Sequence, residues 1–103
     1  MNDERFRIAA FTGEIDFTGR DAFRGGLAPL TDVEAPIVDL SAVTYMDSSA
    51  MAEILYLQRG RARKGRAAMC LVVSPAVRRL IEVAGLQNVF PLATTVEEAK
   101  AQL

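Results

Sequence analysis

Three neighbouring residues have the types and spacing for reversible chemistry: Asp47, Ser48 and Ser49, at the junction of an apolar strand candidate and the longest helix candidate in the chain. Serine and aspartate are favoured N-caps because their side-chain oxygens accept hydrogen bonds from first-turn amides that otherwise lack a partner. The serines therefore mark a helix start. A helix N-terminus is also a weak positive pole rimmed by free N–H donors, so a phosphate on a serine there would be well accommodated. Read from the residues alone, the stretch is a helix cap that could also be a modification site.

Catalysis by these serines finds little support elsewhere in the chain. There is no histidine, which removes the commonest general base near neutral pH and the commonest metal ligand, and excludes Ser-His-Asp chemistry. The stretch lacks the Gly-x-Ser-x-Gly elbow of hydrolases, and no Gly-rich nucleotide cradle occurs anywhere. Lysine-assisted serine chemistry would need Lys64 or Lys100, neither near the serines in sequence. The expectation is a binding protein rather than an enzyme, with no cofactor and no metal.

Length and composition fit that expectation. A chain of 103 residues, half of them apolar, suits one compact domain over residues 1–103. Thirteen acidic and twelve basic residues nearly cancel, so nothing directs it to nucleic acid or an anionic membrane, and its partners should be proteins. No apolar run approaches the roughly 20 residues of a membrane span, and Met1-Asn2-Asp3-Glu4-Arg5 lacks the pattern of a signal peptide. The expected location is the cytoplasm. The single cysteine, Cys70, lies in the apolar run Ala68–Val73 and reads as a small buried hydrophobe.

The elements that must position Asp47-Ser48-Ser49 follow from periodicity. Phe6, Ile8 and Ala10 alternate with Arg5, Arg7 and Ala9 as a half-buried strand ending near Thr12-Gly13, and Gly13-Glu14-Ile15-Asp16 reads as a turn. Thr18-Gly19-Arg20-Asp21 offers the start of a short helix with Ala22, Phe23 and Leu27 on one stripe, weakened by Gly25-Gly26 and ending before Pro29 or Thr31. Pro36–Leu40 suits a central strand buried on both faces. From Ser49 a long helix presents Met51, Ile54, Leu55 and Ala62, with Gly65 as its stop. Ala68–Val73 is a second buried strand. Ser74-Pro75 opens a helix whose apolar face is Val77, Leu80, Ile81 and Ala84, closed by Gly85. Asn88–Leu92 is an edge strand, and Thr95–Leu103 an acidic-first helix. Strand–helix alternation implies right-handed crossovers and a mostly parallel sheet, an α/β sandwich.

Two charge clusters have alternative readings. Arg59, Arg61, Arg63, Lys64 and Arg66 at a helix end suit the negative pole of the macrodipole as solvated side chains; the alternative is a patch for nucleic acid or an acidic partner. No aromatics interleave them, which favours the solvated end. Glu14 and Asp16 read as turn residues rather than a metal site.

Three motifs in order, Thr12–Asp16, Val38–Ser49 and Ser74–Leu86, resemble those of bacterial anti-sigma factor antagonists, which are single STAS domains. The likeness runs in register over nearly the whole chain. It implies a mostly parallel sheet of four to five strands with about four helices, in a monomer or weak dimer. It also implies a protein that, when unphosphorylated, binds an anti-sigma factor and releases a sigma factor. The partner in such pairs is commonly a serine kinase using ATP and magnesium, and a serine phosphatase reverses the mark. The modified residue would be Ser48, with Asp47, Ser48, Ser49, Ala50 and Met51 as the partner-binding stretch. Ala50 stands where the family usually has glycine, adding a methyl where the kinase backbone approaches. The segment before Phe6 is short for the additional first strand that some family members carry, which allows a sheet with one strand fewer than theirs. The alternatives within the same resemblance are a docking subunit of a transport or stress-signalling complex without regulated phosphorylation, or a module binding a small ligand or nucleotide.

Overall fold

The computed structural model describes residues 5–103. Four strands, β1 (Phe6–Ile15), β2 (Ala35–Met46), β3 (Cys70–Val73) and β4 (Leu92–Ala93), form one sheet in the order β1-β2-β3-β4, every neighbouring pair parallel. The helices are α1 (Arg20–Leu27), α2 (Ser48–Arg63), α3 (Pro75–Val83) and α4 (Val96–Gln102), with 3-10 turns at Phe17–Gly19 and Ala28–Leu30. Successive strands that step across a sheet in one direction by right-handed crossovers put every connecting helix on the same face. The main core accordingly unites Phe23 and Leu27 of α1, Met51 and Ile54 of α2, and Val77 and Ile81 of α3 with Val38, Leu40, Leu71 and Val73. The opposite face is covered by α4, whose Ala99 packs with Ile37, Cys70, Val72 and Ala93. β3 and the first half of β2, residues 35–40, are thus covered on both sides, which is why Cys70–Val73 and residues 36–38 read as apolar runs.

Several boundaries differ from expectation, each for a physical reason. β1 does not turn at Gly13 but continues to Ile15; Gly13 takes φ +76° where its register against β2 shifts twice, between Ala10 and Thr12 and between Gly13 and Glu14. Its main-core residues are Ala9, Phe11 and Ile15 rather than Phe6, Ile8 and Ala10. Those three belong to the α4 side, and because α4 packs against β2, β3 and β4, Ile8 stays 40% exposed. β2 runs six residues past Leu40 and carries the chain to Met46. β3 begins at Cys70, and β4 starts only after Pro91, so residues 88–90 are not strand. Ala22, Ala62 and Ala84, placed on apolar stripes by spacing, are exposed, while Leu55 and Leu80 are half-buried against the core.

Cys70 is buried, and burial pushes its thiol up to about 11, which fits a packing role. The basic run is not simply a solvated helix end. Arg61 is 0% exposed, and its guanidinium donates from Nη1 to the carbonyls of Leu30 (2.8 Å), Val33 (2.8 Å) and Thr31 (3.3 Å), and from Nη2 (2.8 Å) and Nε (3.2 Å) to that of Ala67. Lys64 and Arg66 pair with Asp32 at 3.2 and 3.3 Å.

Candidate functional site

Because all four strands are parallel, every strand-to-helix junction falls at the same end of the sheet, beyond the C-termini of the strands. Each junction is closed by an oxygen-bearing side chain. Asp16 follows β1 and its Oδ1 accepts from the amides of Thr18 (3.0 Å) and Gly19 (3.2 Å) and from the Thr18 hydroxyl (2.6 Å). Asp16, rather than Thr18, therefore closes that turn, and Gly19 opens α1 without a side-chain cap. Asp47 follows β2, Ser74 follows β3 and caps α3 through the Val77 amide (3.2 Å), and Thr95 caps α4 through Glu98 (3.1 Å).

At the second junction the helix starts at Ser48, as the serines indicated, and the capping side chain is Asp47. Its carboxylate is engaged on both oxygens. Oδ1 accepts from the Ala50 amide (3.1 Å) and from the Ser49 hydroxyl (2.6 Å), while Oδ2 accepts from the Phe17 amide (3.0 Å). The Ser49 hydroxyl foremost, then the Ala50 amide, hold the Asp47 carboxyl below its ordinary value. Asp16 is lowered likewise, first by the Thr18 hydroxyl, against a smaller opposing push from the Asp47 charge. Both are ionised at neutral pH.

The five residues expected to meet a partner do not all face outward. Ser48 is exposed, Asp47 and Ser49 are half-buried, and Ala50 and Met51 are 0% and 2% exposed, with their side chains turned into the main core. Ala50, Met51 and Ile54 share the inward face of α2, while Ser48, the first residue of the helix, stays exposed at its end. Ala50 and Met51 therefore support the site from beneath and do not form its surface.

What the spacing did not reveal is a largely apolar groove that begins at Tyr45 and Met46, just before the cap. Tyr45 (50% exposed), Met46, Pro75, Ala76, Leu80 and Val83 (80% exposed), together with the charged Arg78, Arg79 and Glu82, line a shallow groove of about 720 Å³ between the end of β2 and α3. Beside the Asp47 cap, the Phe17 ring is 60% exposed, with the Arg20 guanidinium 4.4 Å from its centroid. Exposed apolar side chains at the end of an otherwise well-buried strand and on the outer face of α3 were the available signal. Among the described residues no group of three or more acidic or cysteine side chains is placed to hold a metal ion, and no helix is long and apolar enough to cross a membrane.

The STAS domain family model matches residues 2–99, and the chain belongs to that family. An anti-sigma factor antagonist from Mycobacterium paratuberculosis is similar in structure at 23% identity, with a TM-score of 0.83, over 99% of this chain and 88% of that one. The Bacillus cell-fate determinant SpoIIAA in its phosphorylated form is similar at 24% identity and a TM-score of 0.66, over 99% and 94%. A sulfate transporter family protein from Wolinella succinogenes is similar at 17% identity and a TM-score of 0.78, over 95% and 84%. These likenesses fix the fold; the site's role rests on its own chemistry.

Proposed function

We propose that this chain is an anti-sigma factor antagonist acting in the cytoplasm by binding rather than by catalysis. Unphosphorylated, it docks on an anti-sigma factor that is also a serine kinase, so that a sigma factor is released; phosphorylation of Ser48 ends the complex, and a serine phosphatase restores it. The observation that supports this reading most is the Ser48 hydroxyl: exposed, without a hydrogen bond among the described residues, on the first turn of α2 and two residues after Met46, which lines the groove of Tyr45, Leu80 and Val83. A partner would seat apolar side chains in the groove and close over Asp47, Ser48 and Ser49.

Phosphorylation adds about −1.5 to −2 charges and three acceptor oxygens, which the first-turn amides of α2 can meet in the free domain. Within a complex the same charge would be desolvated beside ionised Asp47 and Asp16, and an unpaired buried charge costs several kcal/mol. Affinity for the anti-sigma factor should fall by roughly 100-fold or more, while the melting temperature of the free domain stays nearly unchanged. Calorimetric titration of wild type and phosphoprotein against the cognate partner tests this; equal affinities would refute it. A large loss of melting temperature would mean that unfolding, and not repulsion, breaks the complex.

The likeness to a sulfate transporter family protein favours one second reading, that the same surface docks within a transport or stress-signalling complex without regulated phosphorylation. Co-purification with transporter subunits, and a Ser48 that is never modified, would select it.

A further inference from the structure

Two hydroxyls stand side by side at the start of α2, and the structure treats them unequally. Ser49 is half-buried, and its hydroxyl proton is directed at Asp47 Oδ1 at 2.6 Å. That acceptor is itself immobilised, since the Ala50 amide shares Oδ1 and the Phe17 amide, from a different element, holds Oδ2. Ser48 is exposed, and its hydroxyl makes no hydrogen bond among the described residues. We infer that Asp47 is the residue that confines phosphorylation to Ser48, by occupying the Ser49 hydroxyl and holding it against the first turn of the helix. This rests on the proposed phosphorylation reading and assigns it a specificity-determining residue.

The chemistry explains why the engagement matters. In phosphoryl transfer the serine Oγ forms a bond to the γ-phosphorus of a kinase-bound nucleoside triphosphate, and the bond from that phosphorus to the bridging oxygen breaks. The nucleoside diphosphate leaves, and the hydroxyl proton passes to the kinase's base. Attacking and leaving oxygens must be roughly in line. For Ser48 the proton is free to meet a base from the kinase, and the oxygen is open to an in-line approach. For Ser49 the proton already points into the chain at an ordered carboxylate, so a base from outside cannot take it in that orientation, and the flanking helix turn narrows the approach to the oxygen. Asp47 does not touch the transferred group; it is a positioning residue.

The test follows the phosphate. Wild type and the variants Asp47→Ala and Asp47→Asn are each produced in the organism of origin, isolated, and mapped by fragmentation mass spectrometry that separates phosphate on Ser48 from phosphate on Ser49. Wild type should carry at least about 95% of its phosphate on Ser48. Asp47→Ala should move a tenth or more to Ser49, and Asp47→Asn, which keeps an acceptor at Oδ1 and caps a helix as well as aspartate does, should restore the wild-type distribution. Asp47→Ala phosphorylated on Ser48 alone, or on neither serine, overturns the inference while leaving the proposed function standing. Wild type with no phosphate on either serine overturns both. A second measurement is independent of any kinase: NMR titration of the Asp47 carboxyl should show a higher midpoint in Ser49→Ala than in wild type and no change in Ser48→Ala. An unchanged midpoint in Ser49→Ala would show that the hydroxyl is not engaged in solution, and would sink the inference whatever the phosphate map.

Discussion

The two ends of α2 are built on opposite principles. At its N-terminus the polar groups stay near solvent: one carboxylate is spread over two hydrogen-bonding sites on its helix and one on a neighbouring turn, and a hydroxyl is left unused. At its C-terminus a full positive charge, Arg61, is buried at 0% exposure with no carboxylate bonded to it among the described residues, satisfied by four backbone carbonyls from two loops. Leu30 ends a 3-10 turn and Thr31 and Val33 follow it, so carbonyl dipoles supply the negative potential that a carboxylate otherwise would. Burial and the nearby Arg66 still depress the guanidinium pKa, with Asp32 opposing. One end of the helix is thus available to a partner, and the other is an internal clamp joining the connection before β2 to the connection before β3. The modification proposed for Ser48 would leave that anchorage, at the far end of the same helix, untouched.

The contrast breaks most sharply at Arg61. Arg61→Ala would leave the carbonyls of Leu30, Thr31, Val33 and Ala67 without their donors and open a cavity, so urea denaturation should show a loss of about 3–5 kcal/mol. Arg61→Lys should recover only part of this, because an ammonium lacks the planar fork that reaches both loops. A loss under about 1 kcal/mol for Arg61→Ala would mean that the clamp is not formed in solution.

A smaller effect is expected one turn on. Gly65 follows the last residues of α2 at φ +73°, a conformation that side chains resist, with open space around it. Its amide donates to the Ala62 carbonyl at 3.0 Å. Gly65→Ala should therefore cost about 1 kcal/mol through backbone strain alone, measured by thermal melting, and should leave modification at the other end of the helix unaffected. Neutral or stabilising behaviour would contradict that backbone assignment.

Much of this was legible in the sequence, and what was not has common causes. Capped helix starts at Ser48, Pro75 and Val96, glycine stops at Gly65 and Gly85, and the buried runs of β3 and the first half of β2 all follow from local chemistry, and the structure has them. The extension of β1 through Gly13 was hidden because a bulge glycine and a turn glycine look alike until the neighbouring strand is known. Gly26 read as a helix weakness. A Cβ there would come within 2.6 Å of the Phe11 ring, so the glycine is what lets α1 sit close to β1, whereas Gly25 has no such neighbour. Arg61 was indistinguishable from Arg59 and Arg63 because its partners are backbone carbonyls, which leave no mark in side-chain identity. At the site, Asp47, Ser48 and Ser49 were readable from type and order. The inward turn of Ala50 and Met51 and the groove along α3 needed the packing of α2 and α3 against the sheet.

The subtlest distinction between the two ends lies in how each holds an aspartate. Asp47 and Asp32 both have carboxyls lowered from 3.8. For each the charged form is favoured in the folded state, so each adds stability that is present above the unfolded value and is lost as pH falls through the lowered one. The causes differ. Asp47 is lowered first by the Ser49 hydroxyl and then by backbone amides, which are neutral donors at fixed short range. Asp32 is lowered first by the hydrogen bond from Lys64 and then by the charges of Lys64 and Arg66, and those side chains are 54% and 39% exposed. Salt screens the second kind of interaction and hardly touches the first, since at about 1 M the screening length shrinks to about 3 Å. Carboxyl-detected NMR titrations at low salt and at about 1 M should therefore show the Asp32 midpoint rising toward 3.8, while that of Asp47 holds its place. Lys64→Ala should reproduce the Asp32 shift without salt and leave Asp47 alone. If both midpoints moved together with salt, the Asp47 carboxylate would be answering to the overall field of the protein and not to its own hydrogen bonds, and the local anchorage assigned to that end of the helix would have to be abandoned.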